Sequence, residues 1–169
     1  MSDHISAAEL SDALDYLAIT RLQARYGDVV SRQAWAELDD LFLPDAPITL
    51  DLRRGDPIEL VGPSALGEMV ERAVERFEFF EFALLNSVID VVGVDADRDA
   101  RTATGRLYMW ELRQEAATGR WTNAYGLYRD QYVRDQGRWV IGLRHYSSVA
   151  RTGDGSGDGP EYEVFDIPG

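Results

Sequence analysis

Residues 121–151 constrain the fold most, because they have the pattern of two long strands joined by a tight turn. Aromatic and aliphatic residues alternate with polar ones on both sides of Asp135-Gln136-Gly137. A short polar stretch that ends in Gly between two such runs is typical of a β-hairpin. Tyrosine, arginine and histidine side chains crowd along both strands. This mixture indicates the wall of a cavity that is mainly apolar but holds a few polar groups.

The composition is that of one ordinary domain. A chain of 169 residues with 45% hydrophobic residues is long enough to bury a core. The net charge of −13 makes nucleic acid and an anionic membrane surface unfavourable partners. The chain has no cysteine and two histidines, which excludes cysteine and histidine-rich metal sites, and we expect no metal and no cofactor.

Targeting signals are also missing from the sequence. No apolar run approaches the roughly 20 residues that are needed to span a bilayer. The first residues have neither the charged region nor the apolar region of a signal peptide. We therefore expect a cytoplasmic protein.

The first part of the chain predicts helices. Ser6 suits the N-cap of a first helix, and Glu9 completes a capping box. Apolar residues at helical spacing continue this helix to Arg32. A second, short helix is predicted over residues 34–42, and a third helix with Ser64 as its N-cap.

Strands dominate the rest of the chain. Residues 48–52 alternate as a short strand, and residues 79–92 and 100–115 as long strands, where Gly105 suits a bulge. With the hairpin, the element order is ααβαββββ. Helices first and strands after predict an α+β domain, with the helices packed on one face of a curved antiparallel sheet.

We assign residues 1–151 to this domain and residues 152–169 to an acidic, Gly-rich tail. Residues 154–159 match the first half of a calcium-binding EF-hand loop, but Phe165 stands where that loop needs Glu. A flexible segment is therefore the prediction for this stretch. The apolar residues near Phe165 are expected to pack on a neighbouring surface, either in this chain or in another subunit.

Three segments resemble one known family. Residues 18–26, residues 35–46 and the stretch from Tyr128 to Arg144 resemble the SnoaL-like branch of the nuclear-transport-factor-like superfamily. The resemblance implies a cone, in which a curved antiparallel sheet wraps around three helices and encloses a pocket. It also implies a small apolar ligand and a homo-oligomer, with a dimer favoured over a trimer. The family includes both enzymes and non-catalytic domains, so this fold alone leaves the function open.

Dehydratase-type members of this family use a His–Asp pair in the pocket, which suits the removal of a proton in a β-elimination. The resemblance places the Asp position at Ser31 and the His position at Phe82, so neither partner of the pair is present. It also matches a pocket tyrosine to Tyr26, an asparagine to Asn86, and an arginine that holds the substrate or leaving group to Arg144.

Other residues are also candidates for the site. Strand alternation puts Arg144 and His145 on opposite faces unless a bulge intervenes. Glu111, Asp130 and Asp51 would each supply a carboxylate base if they face the pocket. The alternative for Arg144 is a structural ion pair with Asp130 or Glu111. The predicted catalytic residues are Tyr26, Arg144 and His145, and the predicted substrate-binding residues are Leu50, Asn86, Trp110, Tyr125 and Tyr128.

The leading hypothesis is a SnoaL-like pocket protein for a small, mostly apolar, oxygenated molecule such as a polyketide, steroid or terpenoid. If the protein is catalytic, it is a cofactor-independent lyase or isomerase. The competing hypothesis is a non-catalytic ligand-binding or accessory domain that keeps the cone and has lost the dyad. Epoxide hydrolysis is a third alternative, for which Arg106, Arg144, Asp90 and Asp130 supply the residue types.

Overall fold

A computed structural model describes residues 5–92, 101–153 and 161–169. In this part of the chain, two α-helices and one 3₁₀ helix pack against a seven-stranded sheet. The helices are α1 (Ala7–Ser31), the 3₁₀ helix (Trp35–Asp40) and α2 (Gly62–Val74). The strands are β1 (Pro47–Asp51), β2 (Ile58–Val61), β3 (Phe77–Val92), β4 (Thr102–Glu115), β5 (Trp121–Asp135), β6 (Arg138–Thr152) and β7 (Tyr162–Val164). None of the described helices is long and apolar enough to cross a membrane.

The start of α1 confirms the predicted capping box. The backbone N–H of Glu9 donates to Ser6 Oγ at 3.2 Å, and the backbone N–H of Ser6 donates to the Glu9 carboxylate at 2.8 Å. Further along α1, one face carries the buried residues Ile19, Leu22 and Tyr26. This face packs on the concave side of the sheet, so the helix delivers Tyr26 to the interior.

The sheet is mixed, which corrects the expectation of a wholly antiparallel sheet. Its strand order is β2-β1-β6-β5-β4-β3, and β7 pairs with β6. Neighbouring strands are antiparallel except β1 and β6, which run parallel. The chain between β1 and β6 is long enough to return in either direction, so alternation within each strand did not fix this pairing. The short strand β2 was not predicted, because it is a largely exposed edge strand without clear alternation.

The hairpin of β5 and β6 confirms the prediction from residues 121–151. Asp135 pairs with Arg138, and the two residues between them have positive φ angles, 48° at Gln136 and 79° at Gly137. Positive φ at both central positions is the geometry of a type I′ turn, whose twist matches that of the strands. The two strands supply the middle of the sheet.

The predicted bulge at Gly105 was wrong. Register is continuous through this residue, and its lack of a side chain serves packing, since a Cβ there would lie 2.8 Å from the ring of Tyr132. Register shifts occur elsewhere. In β6 the pairing moves so that Gly142 is the extra residue, and in β3 it shifts between Leu84 and Ser87. Each bulge exchanges the inward and outward faces of the strand beyond it.

Helix α2 begins earlier than predicted, and Ser64 is not its cap. Val61 occupies the N-cap position without a side-chain hydrogen bond, while Ser64 lies within the first turn. Gly62 has a φ of 81°, and a Cβ there would lie 2.4 Å from the carbonyl oxygen of Pro44. Only glycine fits this turn, and Pro63 then suits the first turn of a helix. The backbone at these two positions, rather than a side-chain cap, sets the start of α2.

Two expectations fall outside the described residues: the polar turn over residues 95–99 and the EF-hand-like stretch over residues 154–159. Beyond that stretch, β7 pairs antiparallel with the end of β6, with Val164 opposite Ala150. The tail therefore contributes a strand to the sheet. The Phe165 ring packs under the guanidinium of Arg151, while the Val164 side chain stays largely exposed.

Candidate active site

The concave face of the sheet encloses a cavity of about 430 Å³ together with α1 and α2. One wall is apolar and comes mainly from α2 and β1. Its residues are Leu50, Leu66, Met69, Val70, Ala73 and Val74. The other wall comes from β4, β5 and β6 and carries tyrosine, glutamate and arginine side chains. This combination suits a mainly apolar ligand that carries a few polar groups.

Arg144 and Asp130 form a buried ion pair at the inner end of this cavity. Arg144 Nε and Nη2 donate to the two Asp130 carboxylate oxygens at 2.8 and 2.6 Å, and the side chains are 1% and 0% exposed. Tyr132 donates its hydroxyl to Asp130 at 3.1 Å and accepts from Gln23 of α1 at 2.9 Å. The structural ion pair considered for Arg144 is therefore present, and it is part of a network that joins the sheet to α1.

One nitrogen of the Arg144 guanidinium takes no part in the ion pair with Asp130. This nitrogen, Nη1, is buried and has no hydrogen-bond partner among the described residues. The guanidinium carbon lies 4.1 and 4.2 Å from the ring centroids of Tyr26 and Tyr128. Burial alone would lower the pKa of Arg144, but Asp130 more than offsets this effect and raises the pKa. Arg144 is thus a fixed cation that lines the cavity, and its Nη1 amino group has no hydrogen-bond acceptor among the described residues.

Tyr26 and Tyr128 both line the cavity and are in contact with each other. Their hydroxyl oxygens are 3.5 Å apart, and their rings meet edge to face, with centroids 5.8 Å apart. Burial raises the pKa of Tyr128 well above its ordinary value, and the nearby Tyr26 adds to this rise. Tyr128 therefore stays protonated at neutral pH and is a neutral hydrogen-bond donor beside Arg144.

Glu111 is a carboxylate inside the cavity. It lies on the inward face of β4, opposite Phe82 on β3 and Ala124 on β5. Burial raises its pKa, and Arg113, whose Nη1 lies 3.4 Å from the carboxylate, opposes this rise only in part. The side chain is still 23% exposed, because it borders the cavity. Glu111 therefore combines access to a ligand with a pKa shifted towards neutrality.

The structure brings half of the predicted site residues together. Tyr26, Leu50, Tyr128 and Arg144 all line the cavity. Sequence reasoning named Glu111 only as an alternative, because nothing in the sequence says which mid-strand carboxylate faces inward.

The other four predicted residues do not line the cavity. His145 alternates with Arg144 and faces the outer side of the sheet, where burial and the nearby Arg129 lower its pKa. Trp110 and Tyr125 are opposite each other on neighbouring strands and also point outward, because they alternate with inward residues. The bulge in β3 leaves Asn86 exposed. These residues are placed away from the polar groups of the cavity.

The two positions assigned to the missing dyad are neighbours in the structure. Ser31 Oγ donates to the backbone carbonyl of Phe82 at 2.9 Å. The Phe82 ring packs edge to face on Tyr26, with centroids 5.8 Å apart. At the two positions that the resemblance assigns to the dyad, this chain therefore has a hydroxyl and a phenyl ring, and neither is a carboxylate or an imidazole.

The remaining carboxylate candidates lie outside the cavity or are already paired. Asp51 alternates with the inward residue Leu50 and forms an ion pair with Arg53 at 3.2 Å. Asp90 and Arg106 border a separate depression on the outer face of the sheet. The residues considered for epoxide hydrolysis are therefore divided between two faces and do not form one site.

The residue types also bear on cofactors. No group of three or more His, Asp and Glu side chains in the described ranges could hold a metal ion. All 17 basic residues of the chain are arginines, so no lysine is available to form a Schiff base with a carbonyl compound. The chemistry that the cavity offers is that of a carboxylate, tyrosine hydroxyls and guanidinium groups.

The sequence profile of the SnoaL-like domain matches residues 11–145. The chain belongs to this SnoaL-like family. No curated protein matches the sequence. The match covers both walls of the cavity, from α1 through the Arg144 segment of β6.

Solved structures of similar fold include several NTF2-like proteins, all with low sequence identity to this SnoaL-like chain. A candidate scytalone dehydratase from Novosphingobium aromaticivorans has 17% identity and a TM-score of 0.67, covering 93% of this chain and 91% of its own. The hexachlorocyclohexane dehydrochlorinase LinA-type3 from Novosphingobium barchaimii has 18% identity and a TM-score of 0.66, covering 83% and 90%. An NTF2-like protein with a cystatin-like fold from N. aromaticivorans has 20% identity and a TM-score of 0.63, covering 90% and 93%. These similarities establish the α+β NTF2-like fold.

Proposed function

We propose that this SnoaL-like protein is a cofactor-independent lyase or isomerase with Glu111 as its base. The substrate is a small, mostly apolar molecule with a carbonyl group, of the polyketide, steroid or terpenoid type. The observation that carries the proposal is the Glu111 carboxylate, which borders the cavity and has a pKa raised by burial. A carboxylate with a raised pKa is a stronger base, and a proton beside a carbonyl needs such a base near neutral pH.

The other polar groups of the cavity have roles that follow from their chemistry. Glu111 removes the proton, and the electrons of the broken C–H bond move towards the carbonyl oxygen. The Nη1 amino group of Arg144 and the hydroxyls of Tyr26 and Tyr128 are the proposed hydrogen-bond donors to that oxygen. In a lyase, a leaving group on the next carbon then departs as the double bond forms. In an isomerase, Glu111 returns the proton to a different carbon.

The names of structural neighbours are consistent with elimination chemistry, since one is a candidate dehydratase and another a dehydrochlorinase. Their identities of 17% and 18% to this chain support the fold alone. Glu111 is supported instead by its place in the cavity of this protein. The proposed base thus lies on β4, whereas the resemblance assigns the dyad of the dehydratase-type members to Ser31 and Phe82.

Proton exchange into deuterated water tests the proposal without knowledge of the true product. Purified protein is incubated with a panel of apolar ketones, half of them with a β-hydroxyl group, and loss of the α-proton signal is followed by NMR. We expect exchange or elimination with at least one ketone class. The Glu111→Gln variant should be slower by roughly 10²- to 10⁴-fold, as expected for the loss of a general base.

Glu78→Gln is the matched control, because Glu78 is an exposed glutamate on β3 that does not line the cavity. It should keep the rate of the unchanged protein. If Glu111→Gln and Glu78→Gln are equally active on a ketone that the protein converts, Glu111 is not the base.

A non-catalytic binding domain is the second candidate, and the Ser31–Phe82 contact favours it. Ser31 and Phe82, the positions that the resemblance assigns to the dyad, form a hydrogen bond with each other and supply neither a carboxylate nor an imidazole as a base. In that case, ketones would raise the melting temperature through binding, but the protein would not accelerate exchange of their α-protons. Stabilisation without exchange across the whole panel would overturn the proposal of an enzyme.

A further inference from the structure

The cavity carries positive charge in a protein that is strongly negative. Six arginines line the cavity against two glutamates, Glu111 and Glu115, whereas the whole chain has a net charge of −13. A neutral apolar ligand gives no reason for this local reversal of charge. The six arginines differ in how far other groups of the protein balance their positive charge.

Three of these arginines have carboxylate partners outside the cavity lining. Arg54 and Arg151 pair with Glu163 of β7 at 3.3 and 2.7 Å. Arg144 is held by Asp130, as described above. A fourth, Arg120, donates to the backbone carbonyl of Gly153. These contacts position the four side chains.

The positive charges of Arg76 and Arg113 are the least balanced by carboxylates of the protein. Both guanidinium groups pack on the ring of Phe77, at 4.8 and 5.3 Å from its centroid. Arg76 has no ion-pair partner among the described residues, although they include the nearby acidic side chains of β4. Arg113 contacts Glu111 at 3.4 Å and the carbonyl of Asn123 at 3.2 Å, and its Nε is buried without a hydrogen-bond partner. Two like charges thus lie at one ring, and the only ion pair seen for either of them among the described residues is that of Arg113 with Glu111.

We infer that Arg76 and Arg113 bind a carboxylate group of the substrate, whose apolar body lies along α2. Guanidinium groups suit carboxylates because their N–H donors match the two oxygens. The apolar wall begins next to this pair, since Val74 and Phe77 lie on either side of Arg76 in the chain and both line the cavity. The inference rests on the proposed function for the reaction, and it specifies the substrate class as an amphipathic carboxylic acid.

This arrangement would also connect binding to the base. A substrate carboxylate at Arg113 competes with Glu111 for the same guanidinium group. Glu111 then loses part of its compensating charge and becomes more basic. The bound substrate would thereby complete the conditions for its own deprotonation.

Binding of two saturated probes tests the inference separately from catalysis. Decanoate and decanol have the same chain length, and neither can undergo the proposed reaction. Calorimetry at low ionic strength should give binding of decanoate that is about 10- to 100-fold tighter than that of decanol, as expected for hydrogen bonds to a charged group. Arg76→Gln and Arg113→Gln should each reduce this ratio, while Arg25→Gln, at an exposed pair on α1, should leave it unchanged.

The results separate the two proposals. Equal binding of decanoate and decanol, or a ratio that both variants leave intact, would overturn the carboxylate site, even if Glu111-dependent exchange is observed. A preserved preference for decanoate with no exchange on any ketone would support this site and overturn the enzyme. Arg76 is exposed, so its variant should fold even if the Arg113 variant does not.

Discussion

The buried pair of Arg144 and Asp130 makes Asp130→Asn a strong test of how the cavity is held together. The substitution removes the counter-charge of a guanidinium that is 1% exposed and weakens two hydrogen bonds of 2.8 and 2.6 Å. Breaking a buried pair in this way costs about 3–5 kcal/mol, because the remaining charge is left uncompensated. In a domain of this size, 1 kcal/mol corresponds to roughly 2–4 °C, so the melting temperature should fall by about 6–20 °C.

Urea unfolding, followed by circular dichroism and tryptophan fluorescence, measures this loss. Asp40→Asn is the matched control, since the Arg25–Asp40 pair has a similar distance, 3.0 Å, but side chains that are 49% and 56% exposed. The control should lose no more than about 1 kcal/mol. If both variants lose equally little stability, burial does not make the Arg144–Asp130 pair more important than an exposed pair.

A double substitution separates lost attraction from uncompensated charge. Asp130→Leu with Arg144→Met replaces both partners by apolar side chains. Exchanging a buried pair for apolar groups is often neutral or stabilising. The double variant should therefore be more stable than Asp130→Asn alone. If it is less stable, the lost attraction between the two side chains, and not the uncompensated charge of Arg144, causes most of the loss of stability in Asp130→Asn.

Further predictions concern packing and the titration of Glu111. Gly126→Ala would put a Cβ 2.1 Å from the ring of Tyr146, so we expect a loss of about 1–3 kcal/mol in thermal unfolding; a neutral result would contradict the packing. Arg113→Gln should raise the pKa of Glu111 in an NMR titration, because Arg113 now lowers it, and a fall would contradict this. The folded-state pKa of Glu111 lies above its ordinary value of 4.5, so its contribution to stability is full below that value and is lost as the pH rises through the raised pKa. The stability of Glu111→Gln, measured by urea unfolding across this range, should fall less with pH than that of the unchanged protein.

Local signals in the sequence predicted most of the elements. The capping box of Ser6 and Glu9 set the start of α1, and Gln136-Gly137 set the turn between β5 and β6. These signals worked because each one depends on backbone geometry within a few residues. The start of α2 was predicted wrongly because it is not set locally. It depends on the close approach of Gly62 to Pro44, which lies in a different segment.

The candidate site was harder to predict than the fold, because it depends on which face of a strand each residue occupies. Alternation correctly separated Arg144 from His145, but the bulges could not be seen in the sequence. The bulge in β3 left Asn86 exposed, where simple alternation with Leu84 would have kept it inward. Glu111 could not be ranked above Asp130 from the sequence, since both are carboxylates in mid-strand and only one of them is paired with Arg144.

The parallel pairing of β1 with β6 affects how the chain folds during its synthesis. Ile48 is opposite Arg144 in this pairing, so the cavity is closed by two segments that lie far apart in the chain. Contacts between such distant segments form slowly, because a long loop must be closed first. During synthesis, the apolar residues of β1 and α2 remain uncovered until β6 has left the ribosome. The nascent chain should therefore need protection from aggregation until it is almost complete, and fragments that end before Arg144 should fail to form the cavity.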